Sequence, residues 1–411
     1  MSDLSCRFCD VPLKYSFADL GVTPLSNEYL SESDLLKGEM FYPLKAYVCE
    51  ACFLVQLPEF ATPDEIFSDY AYFSSYSDSF LDHARDYVGQ MCERFGYSNE
   101  SQVIEVASND GYLLQYFKER GVPVLGIEPA GNVAKVAQEK GIPSEVRFFG
   151  VETARDLHRR GLQADLLLGN NVLAHVPDIN DFVGGLKLAL KPGGVITMEF
   201  PHLARLMDSN QFDTIYHEHF SYLSLVSVER VFEAHGLKLF DVEEIWTHGG
   251  SLRIYAQHAD TGAQEEADRL VALRNLERTE GFETLPHYLG FQSRIDGLKR
   301  DFLRFLIDAK EAGKSVVGYG APAKGNTLLN YCGVREDLLA YTVDRSPHKQ
   351  GQFLPGTRIP IYAPERIIET RPDYVVILPW NIRAEVMAQM SAVRNWGGRF
   401  VVPIPGVRVE D

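Results

Sequence analysis

Short apolar runs alternate with stretches of helical periodicity over most of this chain. Apolar residues that recur every three to four positions indicate amphipathic helices, and short apolar runs between turn residues indicate buried strands. Four such runs lie in the middle of the chain: Val103–Val106, Val124–Ile127, Leu166–Leu168 and Gly194–Phe200. Because helical patterns separate them, they predict a mostly parallel, doubly wound sheet.

The same alternation returns towards the C-terminus. A charged stretch with helical periodicity, Gly262–Lys314, comes first and contains few turn residues. The apolar runs that follow it are Ser315–Tyr319, Leu339–Asp344, Tyr374–Leu378 and Phe400–Pro403. These runs predict a second, smaller α/β domain.

The N-terminal region has short segments and contains four paired cysteines. The sequence therefore predicts an α/β protein with three consecutive domains. These are a small zinc-binding domain at residues 1–68, a Rossmann-like core at 69–260 and a C-terminal Rossmann-like α/β domain at 261–411.

Composition and charge narrow the function classes. The chain has 411 residues, of which 45% are hydrophobic, and this is ordinary globular composition. Its formal net charge of -17 argues against a nucleic-acid partner, which requires a basic surface. No apolar run approaches the ~20 residues of a membrane span, and the N-terminus lacks the pattern of a signal peptide. We therefore expect a soluble, cytoplasmic protein without a membrane or nucleic-acid partner.

Two C-x2-C pairs, Cys6/Cys9 and Cys49/Cys52, indicate a metal site. Each such turn can direct two thiolates at one ion, and two turns complete a closed tetrahedral site. The sequence therefore predicts one structural Zn²⁺ that helps a small region to fold. The long insert between the pairs is expected to fold back as hairpins, and the remaining cysteines, Cys92 and Cys332, are expected to be buried thiols.

The first predicted strand of the core leads into a polar loop of small residues. An acidic residue ends the next strand, at a spacing that fits the ribose of either NAD or S-adenosylmethionine. The loop lacks the G-x-G-x-x-G of a dinucleotide site, and Asp110 would repel phosphates but suits the amino group and sulfonium of S-adenosylmethionine. A later predicted strand ends at Asn170 and Asn171. This order of loop, acidic strand end and polar strand end is typical of class I methyltransferases. The predicted cofactor-binding residues are Glu105, Ala107, Ser108, Asn109, Asp110, Gly111, Glu128, Pro129, Asn170 and Asn171.

Seven motifs together resemble the nucleotide-sugar C-methyltransferases, which make branched deoxysugars by methylating C-3′ of a 4-keto-6-deoxy sugar. They are the two cysteine pairs, Glu105–Gly111, Asn171–Pro177, Glu199–His202, Tyr216–Tyr222, His248–Arg253 and Gly318–Thr327. The resemblance implies an S-adenosylmethionine domain, a zinc module and a C-terminal domain that helps to bind the sugar nucleotide. It favours a dTDP-linked 4-keto sugar, with GDP left open, and a monomer.

A sugar carbon becomes nucleophilic only after a neighbouring ketone makes its hydrogen acidic, so the site needs a base and a donor for the enolate oxygen. The resemblance assigns these roles to Tyr216, Glu218 and His219, with His219 as the general base. It also places His175 and Tyr222 at the sugar, and Tyr70 and Tyr72 in a covering segment, with Tyr70 counted among the catalytic groups. From the residues alone, the alternative for the Tyr216–His219 segment is a hydrogen-bonded structural corner, and a 4-ketone acidifies C-5 as well as C-3. The H-E-H spacing does not fit a metal site of the H-E-x-x-H type.

The C-terminal loop, Ser315–Thr327, follows a predicted strand and opens a predicted helix. The N–H groups at a helix N-terminus can hold a diphosphate, and Lys324 adds positive charge. The substrate-binding residues predicted here are Lys324, Asn326, Asp344 and Arg345. The alternative is a Rossmann-like domain that serves only as scaffold.

Other functions stay open at this point. A nucleotide-sugar O-methyltransferase needs only a base beside a hydroxyl group. An RNA or protein methyltransferase would use the zinc module to recognise its target, although the acidic charge disfavours it. An NAD-dependent sugar dehydrogenase would use the C-terminal loop.

Overall fold

The computed structural model describes residues 4–60, 74–76 and 78–410. Its strands, in chain order, are β1 (Tyr15–Thr23), β2 (Tyr42–Val48), β3 (Val55–Gln56), β4 (Val103–Val106), β5 (Val124–Glu128), β6 (Ser144–Val146), β7 (Ala164–Asn170), β8 (Leu190–Pro201), β9 (Ser221–Tyr222), β10 (Leu237–Ile245), β11 (Ser251–His258), β12 (Val316–Tyr319), β13 (Thr342–Val343), β14 (Ile361–Tyr362), β15 (Tyr374–Ile377), β16 (Arg399–Val402) and β17 (Arg408–Glu410). Its α-helices are α1 (Asp78–Phe95), α2 (Leu114–Glu119), α3 (Gly131–Glu139), α4 (Val151–Arg159), α5 (Ile179–Ala189), α6 (Leu203–Asp208), α7 (Leu225–Ala234), α8 (Asp268–Glu280), α9 (Leu285–Leu289), α10 (Phe291–Glu311), α11 (Ala323–Cys332), α12 (Glu365–Thr370) and α13 (Arg383–Gln389).

The chain divides into two compact units that are interleaved in sequence. The first unit contains Met1–Leu13, Cys49–His202 and Phe220–Leu285, and the second contains Lys14–Val48, Leu203–His219 and Pro286–Asp411. Each unit therefore draws on more than one of the three consecutive domains expected from the sequence. That three-domain division stays a prediction.

The first unit is built on a seven-stranded sheet of order β10-β11-β8-β7-β4-β5-β6. The five strands from β8 to β6 are parallel, whereas β11 runs antiparallel to β8 and β10 antiparallel to β11. The four strands predicted in this region are confirmed as β4, β5, β7 and β8. This is the Rossmann-like α/β fold of class I methyltransferases, with an antiparallel pair at one edge that the sequence reasoning did not predict.

Helices cover both faces of this sheet. Consecutive residues of β4, Val103 and Ile104, are fully buried in different hydrophobic cores. One core includes Tyr87 and Phe117 from α1 and α2, and the other includes Phe182 from α5. Because both faces are covered, the central parallel strands are mostly apolar and could be recognised from the sequence, whereas the short edge strand β6 could not. Ligands of such sheets bind where the strand order reverses, here beyond the carboxyl ends of β4 and its neighbour β7.

The second unit contains a six-stranded sheet of order β14-β13-β12-β15-β16-β17. Only β17 is antiparallel, to β16, so the predicted smaller α/β domain is confirmed. The strand order reverses at β12, and the loop that follows β12 lies at the ligand-binding edge of this sheet. The predicted hairpin in the insert appears as the antiparallel pair β1 and β2.

The charged stretch at residues 262–314 forms three helices, α8, α9 and α10. In α10 the buried residues recur at helical spacing, as Phe291, Ile295, Leu298, Phe302 and Leu306, and this explains the predicted amphipathic pattern. Within the described ranges, no helix has the length and apolar composition that crossing a membrane requires.

Candidate cofactor, metal and substrate sites

The loop after β4 adopts a strained conformation that only particular residues tolerate. The backbone angle φ is positive at Ala107 (56°), Asn109 (49°) and Gly111 (76°). A Cβ atom at Gly111 would also lie 3.0 Å from the Ile142 side chain, so glycine is required there. The backbone N–H of Asn109 donates to Oε2 of Glu128 at 2.9 Å, which ties this loop to the end of β5.

Buried acidic groups line the loop. Glu105 is fully buried, and among the described residues neither of its carboxylate oxygens has a hydrogen-bond partner. Burial, and then the neighbouring carboxylates of Glu128 and Asp110, raise the pKa of Glu105 well above its usual range. Asp110 is also fully buried, and its Oδ2 lies 3.2 Å from the ammonium of Lys140. Burying a carboxylate without hydrogen-bond partners costs free energy, so a cationic donor on a ligand would be bound favourably by Glu105.

Further polar atoms at the same strand ends lack partners in the described part of the chain. They are Oγ of Ser108 and the amide oxygens of Asn170 and Asn171. Oε1 of Glu128 accepts from the N–H of Ala130 at 2.9 Å, and each carboxylate oxygen keeps a second lone pair. An amino group and ribose hydroxyls would satisfy these acceptors, so the residues fit the chemistry of S-adenosylmethionine.

A separate cavity of about 510 Å³ lies against α1 and β10, and it is lined by residues that include His83, Trp246 and Arg253. Its His83 and Arg253 side chains are already paired with the carboxylate of Glu199. Arg253 donates to Oε1 of Glu199 at 2.7 Å through Nε, and His83 Nε2 lies 2.9 Å from Oε2 of the same carboxylate. The strand-end loop, where buried acceptors lack partners, is therefore the better candidate for the cofactor site.

These pairs also explain two motifs of the resemblance. Glu199 and Arg253 are buried and are joined across the β8–β11 pair, while His202 Nε2 lies 2.7 Å from Oε1 of Glu277. The Glu277 carboxylate accepts the backbone N–H groups of Leu225 and Val226 and so caps the N-terminus of α7. In this structure these motif residues hold elements together.

The four paired cysteines converge. Their sulfur atoms all lie within 4.8 Å of one another, and the Cys6–Cys52 and Cys9–Cys49 pairs are each 3.5 Å apart. A tetrahedral zinc site with Zn–S bonds of ~2.3 Å has sulfur atoms roughly 3.8 Å apart, so the cluster fits Zn²⁺.

Two matching turns bring these sulfur atoms together. In each, the fourth residue after the first cysteine has positive φ, namely Asp10 (59°) and Phe53 (61°). The N–H of that residue donates back to the carbonyl of Cys6 or Cys49, at 2.9 and 3.0 Å. The two C-x2-C turns therefore have the same backbone conformation, and each directs its two sulfur atoms to the same site although the pairs are distant in sequence.

In the second unit, the rings of Tyr216 and His219 pack against each other with centroids 4.0 Å apart and planes inclined by 34°. Nδ1 of His219 lies 2.8 Å from the carbonyl oxygen of Thr214. A carbonyl only accepts, so Nδ1 carries the hydrogen and Nε2 of the neutral ring keeps the lone pair. The neighbouring His217 is directed to a different partner, the carbonyl of Pro43, at 3.1 Å.

Glu218 is buried beside this pair, and its Oε1 accepts a hydrogen bond of 2.6 Å from Nδ2 of Asn27. Burial raises the pKa of Glu218 to about 7, although the Asn27 hydrogen bond acts in the opposite direction. Asn27 belongs to the insert between the cysteine pairs, and no sequence motif connects it with Glu218.

We expect the raised pKa of Glu218 to appear in the pH dependence of stability. The folded state binds this proton more tightly than the unfolded state, so the contribution is complete below pH 4.5 and is lost as the pH rises through about 7. The loss amounts to about 3 kcal/mol. Glu218→Gln should therefore gain stability over the wild type between pH 5 and pH 8 in urea unfolding, and equal curves at both pH values would contradict the assignment.

The loop after β12 is held by polar contacts. At Gly320 φ is +88°, and a Cβ atom there would lie 2.6 Å from the Pro379 ring, so glycine is required. Asp344 accepts the N–H of Ala321 at 2.7 Å. Nζ of Lys324, in the first turn of α11, donates to Oδ1 of Asn381 at 2.9 Å. Asp344 thus fixes this loop directly.

The predicted site residues fall in both units. The first unit contains the predicted cofactor residues, the four cysteines, His175 and Tyr222. The second unit contains Tyr216, Glu218, His219, Lys324, Asn326, Asp344 and Arg345. The Arg345 side chain is exposed and lies 3.8 Å from Glu385. Tyr70 and Tyr72 lie outside the described residues. Sequence reasoning missed Asn27 and Asp213, neither of which lies in a recognisable motif.

Three family profiles match successive parts of the chain. A domain assigned to zinc binding matches residues 6–67, a methyltransferase domain matches 79–242, and a C-methyltransferase C-terminal domain matches 246–405.

Among similar proteins, the C-methyltransferase NovU of Streptomyces niveus is 37% identical over 98% of this chain and 96% of its own length. A ubiquinone biosynthesis O-methyltransferase of Idiomarina loihiensis is 32% identical over only 23% of this chain and 40% of its own length. A solved S-adenosylmethionine-dependent methyltransferase from Mesorhizobium loti covers 43% of this chain and 100% of its own, with 14% identity and a TM-score of 0.35. The match to NovU thus spans all three profiles, whereas the others are partial.

Proposed function

Because this chain belongs to the C-methyltransferase family that combines a zinc-binding, a methyltransferase and a C-terminal domain, we propose that it methylates C-3′ of a dTDP-linked 4-keto-6-deoxy sugar. It is an S-adenosylmethionine-dependent methyltransferase that acts on carbon, and its cofactors are S-adenosylmethionine and one zinc ion. The sugar, the nucleotide and the reacting position are our proposal. A cytoplasmic location and a monomeric state likewise stay predictions from the sequence.

The observation that carries this proposal is the His219–Thr214 hydrogen bond. It makes Nδ1 the N–H donor, so in the neutral ring Nε2 carries the lone pair that a general base requires. The C-4 ketone makes the C-3 hydrogen acidic, so the proton passes to Nε2 and the charge spreads onto the ketone oxygen. We assign Tyr216, whose ring packs against that of His219, as the donor to that enolate oxygen.

Glu218 is assigned to the sugar. Its high pKa leaves a substantial protonated fraction at neutral pH, and a protonated carboxyl group can donate a hydrogen bond to a sugar oxygen. Asn27 fixes the other end of this carboxyl group. We therefore assign Asn27 as a positioning residue for Glu218.

S-adenosylmethionine supplies, when bound, an electrophilic methyl group on a sulfonium. Glu105 and Asp110 are assigned to its amino group, since Glu105 in particular is buried without a partner among the described residues. Glu128, at the end of β5, is assigned to the ribose hydroxyls, and Asn170 and Asn171, at the end of β7, are also assigned to the cofactor. His175 and Tyr222, from the same unit, stay assigned to the sugar.

We expect Glu105→Gln to weaken S-adenosylmethionine binding about 10- to 100-fold, because a neutral amide loses the charge-assisted bond to the amino group. The affinity is measured by isothermal titration calorimetry, without any sugar substrate. Glu233→Gln, at an exposed position on α7, is the control and should bind as the wild type does. Unchanged affinity in Glu105→Gln would remove Glu105 from the cofactor site.

The nucleotide diphosphate is assigned to the N-terminus of α11. Its first-turn N–H groups and Lys324 supply donors and positive charge. The side chain of Asn326 is buried, with Nδ2 donating to the carbonyl of Ser26 at 2.6 Å. Its Oδ1 has no partner among the residues described and is available to a ligand donor.

The proposal is tested in D2O with a dTDP-4-keto-6-deoxy sugar, with and without S-adenosylmethionine. We expect a carbon-bound methyl group at C-3 by NMR when the methyl donor is present. When it is withheld, we expect enzyme-dependent deuterium exchange at C-3, since the base works without the second step. A methyl group on oxygen without exchange would replace this proposal by a sugar O-methyltransferase.

A further inference from the structure

Asp213 is a fully buried carboxylate just before the Tyr216–His219 segment. Its Oδ2 accepts a hydrogen bond of 2.7 Å from the indole N–H of Trp380. In the described ranges Oδ1 has no hydrogen bond of normal geometry, although the backbone N–H groups of Asp213 and Thr214 lower the pKa of the carboxyl group. Burial raises the pKa of Asp213 to about 7, whereas the charge of Lys324 and the Trp380 hydrogen bond act to lower it. Burying a carboxylate costs free energy, so we expect a functional role of Asp213 in its contacts.

Trp380 connects Asp213 to Lys324. The indole is 6% exposed and lies just after β15, beside the loop that follows β12. Nζ of Lys324 lies 4.8 Å from the centroid of the Trp380 ring, within the range of a cation–π contact. The same Nζ donates to Asn381, so ring and amide together fix the ammonium in the first turn of α11.

We propose that Asp213 is a positioning residue for substrate, which acts through Trp380 on Lys324 and thereby sets the affinity for the nucleotide diphosphate. The inference rests on the proposed function, since it takes the diphosphate to bind at the N-terminus of α11. A lysine side chain is flexible, and an ammonium already held in place loses less conformational entropy when the anion binds. Burial lowers the pKa of Lys324, and the charge of the Asp213 carboxylate acts in the opposite direction.

The test compares Asp213→Asn, Trp380→Phe and the double variant in the full-length protein. The probe is dTDP, titrated calorimetrically, with steady-state methyl transfer measured in parallel. We expect each single variant to raise the Kd for dTDP and the KM for the sugar nucleotide about tenfold, with kcat changed by less than about twofold. Because both act through one hydrogen bond, the double variant should also lose only about tenfold.

Two controls separate positioning from general damage. Trp396→Phe removes another indole N–H of the same unit, which donates to the carbonyl of Pro372 at 2.9 Å, and should leave dTDP binding unchanged. Lys324→Met should weaken dTDP binding, and adding Asp213→Asn to it should weaken binding no further. Affinity for S-adenosylmethionine should stay constant in all variants.

The inference is overturned if Asp213→Asn and Trp380→Phe bind dTDP as the wild type does, or if their effects multiply in the double variant. A fall in kcat at constant KM would also overturn it. If Asp213→Asn does not fold, the milder Trp380→Phe, which keeps the aromatic face, decides alone. A wild type that binds neither dTDP nor GDP would refute the proposed nucleotide site together with this inference, whereas a binding wild type with unaffected variants would refute the inference alone.

Discussion

Replacing His219 by asparagine is expected to lower kcat for methyl transfer by roughly 10²- to 10⁴-fold, the usual contribution of a general base. Asparagine can still donate to the Thr214 carbonyl, but it has no basic nitrogen at the position of Nε2. The affinities for S-adenosylmethionine and dTDP should stay within about twofold of wild type, because the change affects a proton transfer and not binding. Deuterium exchange at C-3 should be lost in parallel.

His217→Asn is the matched control for this prediction. His217 lies in the same segment, but its ring is paired with the Pro43 carbonyl and stands edge-on to Tyr42, with centroids 5.8 Å apart. We expect kcat to fall by less than about threefold, since no proton is taken by this ring. Methyl transfer that survives His219→Asn with little loss would refute the base assignment.

The core of the fold could be predicted because its sequence signals lie within short, continuous segments of the chain. β4 and β7 are covered on both faces, so their sequences are mostly apolar, and the polar loop after β4 follows directly in the chain. The β10–β11 pair escaped prediction since antiparallel strands at a sheet edge can mix polar and apolar residues. In β10, Glu243 and Glu244 interrupt the apolar pattern.

The candidate site could be predicted only where its residues lie in motifs. Asn27 reaches Glu218 across 191 positions, and Asp213 reaches Trp380 across 167. No local pattern marks such partners, because tertiary packing of the insert and of the β15 loop brings them together. A motif match also does not reveal the role of a residue. Glu199 and Arg253 lie in two of the motifs that resemble the family, and in this structure they form a buried ion pair.

Loss of zinc is expected to be the most damaging single change to the first unit. Cys52→Ser should reduce bound zinc from one ion per chain to near zero, because Cys52 is one of four converging sulfur ligands. Structural zinc sites contribute on the order of 10 kcal/mol to folding at neutral pH, so a fall in Tm of about 10 °C or more should follow. Zinc is measured by inductively coupled plasma mass spectrometry and stability by calorimetry.

The damage should extend to activity, because the first cysteine turn is tied to the segment around His175. Arg7 donates through its guanidinium to the carbonyl of Pro177 at 2.5 Å, and Nδ2 of Asn180 donates to the carbonyl of Phe8 at 2.9 Å. When the turn loses its metal, these bonds lose their fixed partners. Because His175 is assigned to the sugar, the KM for the sugar nucleotide should rise in variant protein that stays folded at low temperature.

Cys92→Ser is the control for the zinc prediction, since Cys92 lies on α1, outside the cluster, and is half-buried rather than buried as the sequence predicted. This variant should keep one zinc ion and a Tm close to that of the wild type. A Cys52→Ser protein that still holds one zinc ion would show that the four sulfurs are not the ligand set. A Cys52→Ser protein that loses zinc but keeps the wild-type Tm and methyl-transfer rate would refute a structural role for the metal. The backbone hydrogen bonds of the two turns would then be sufficient to hold this region.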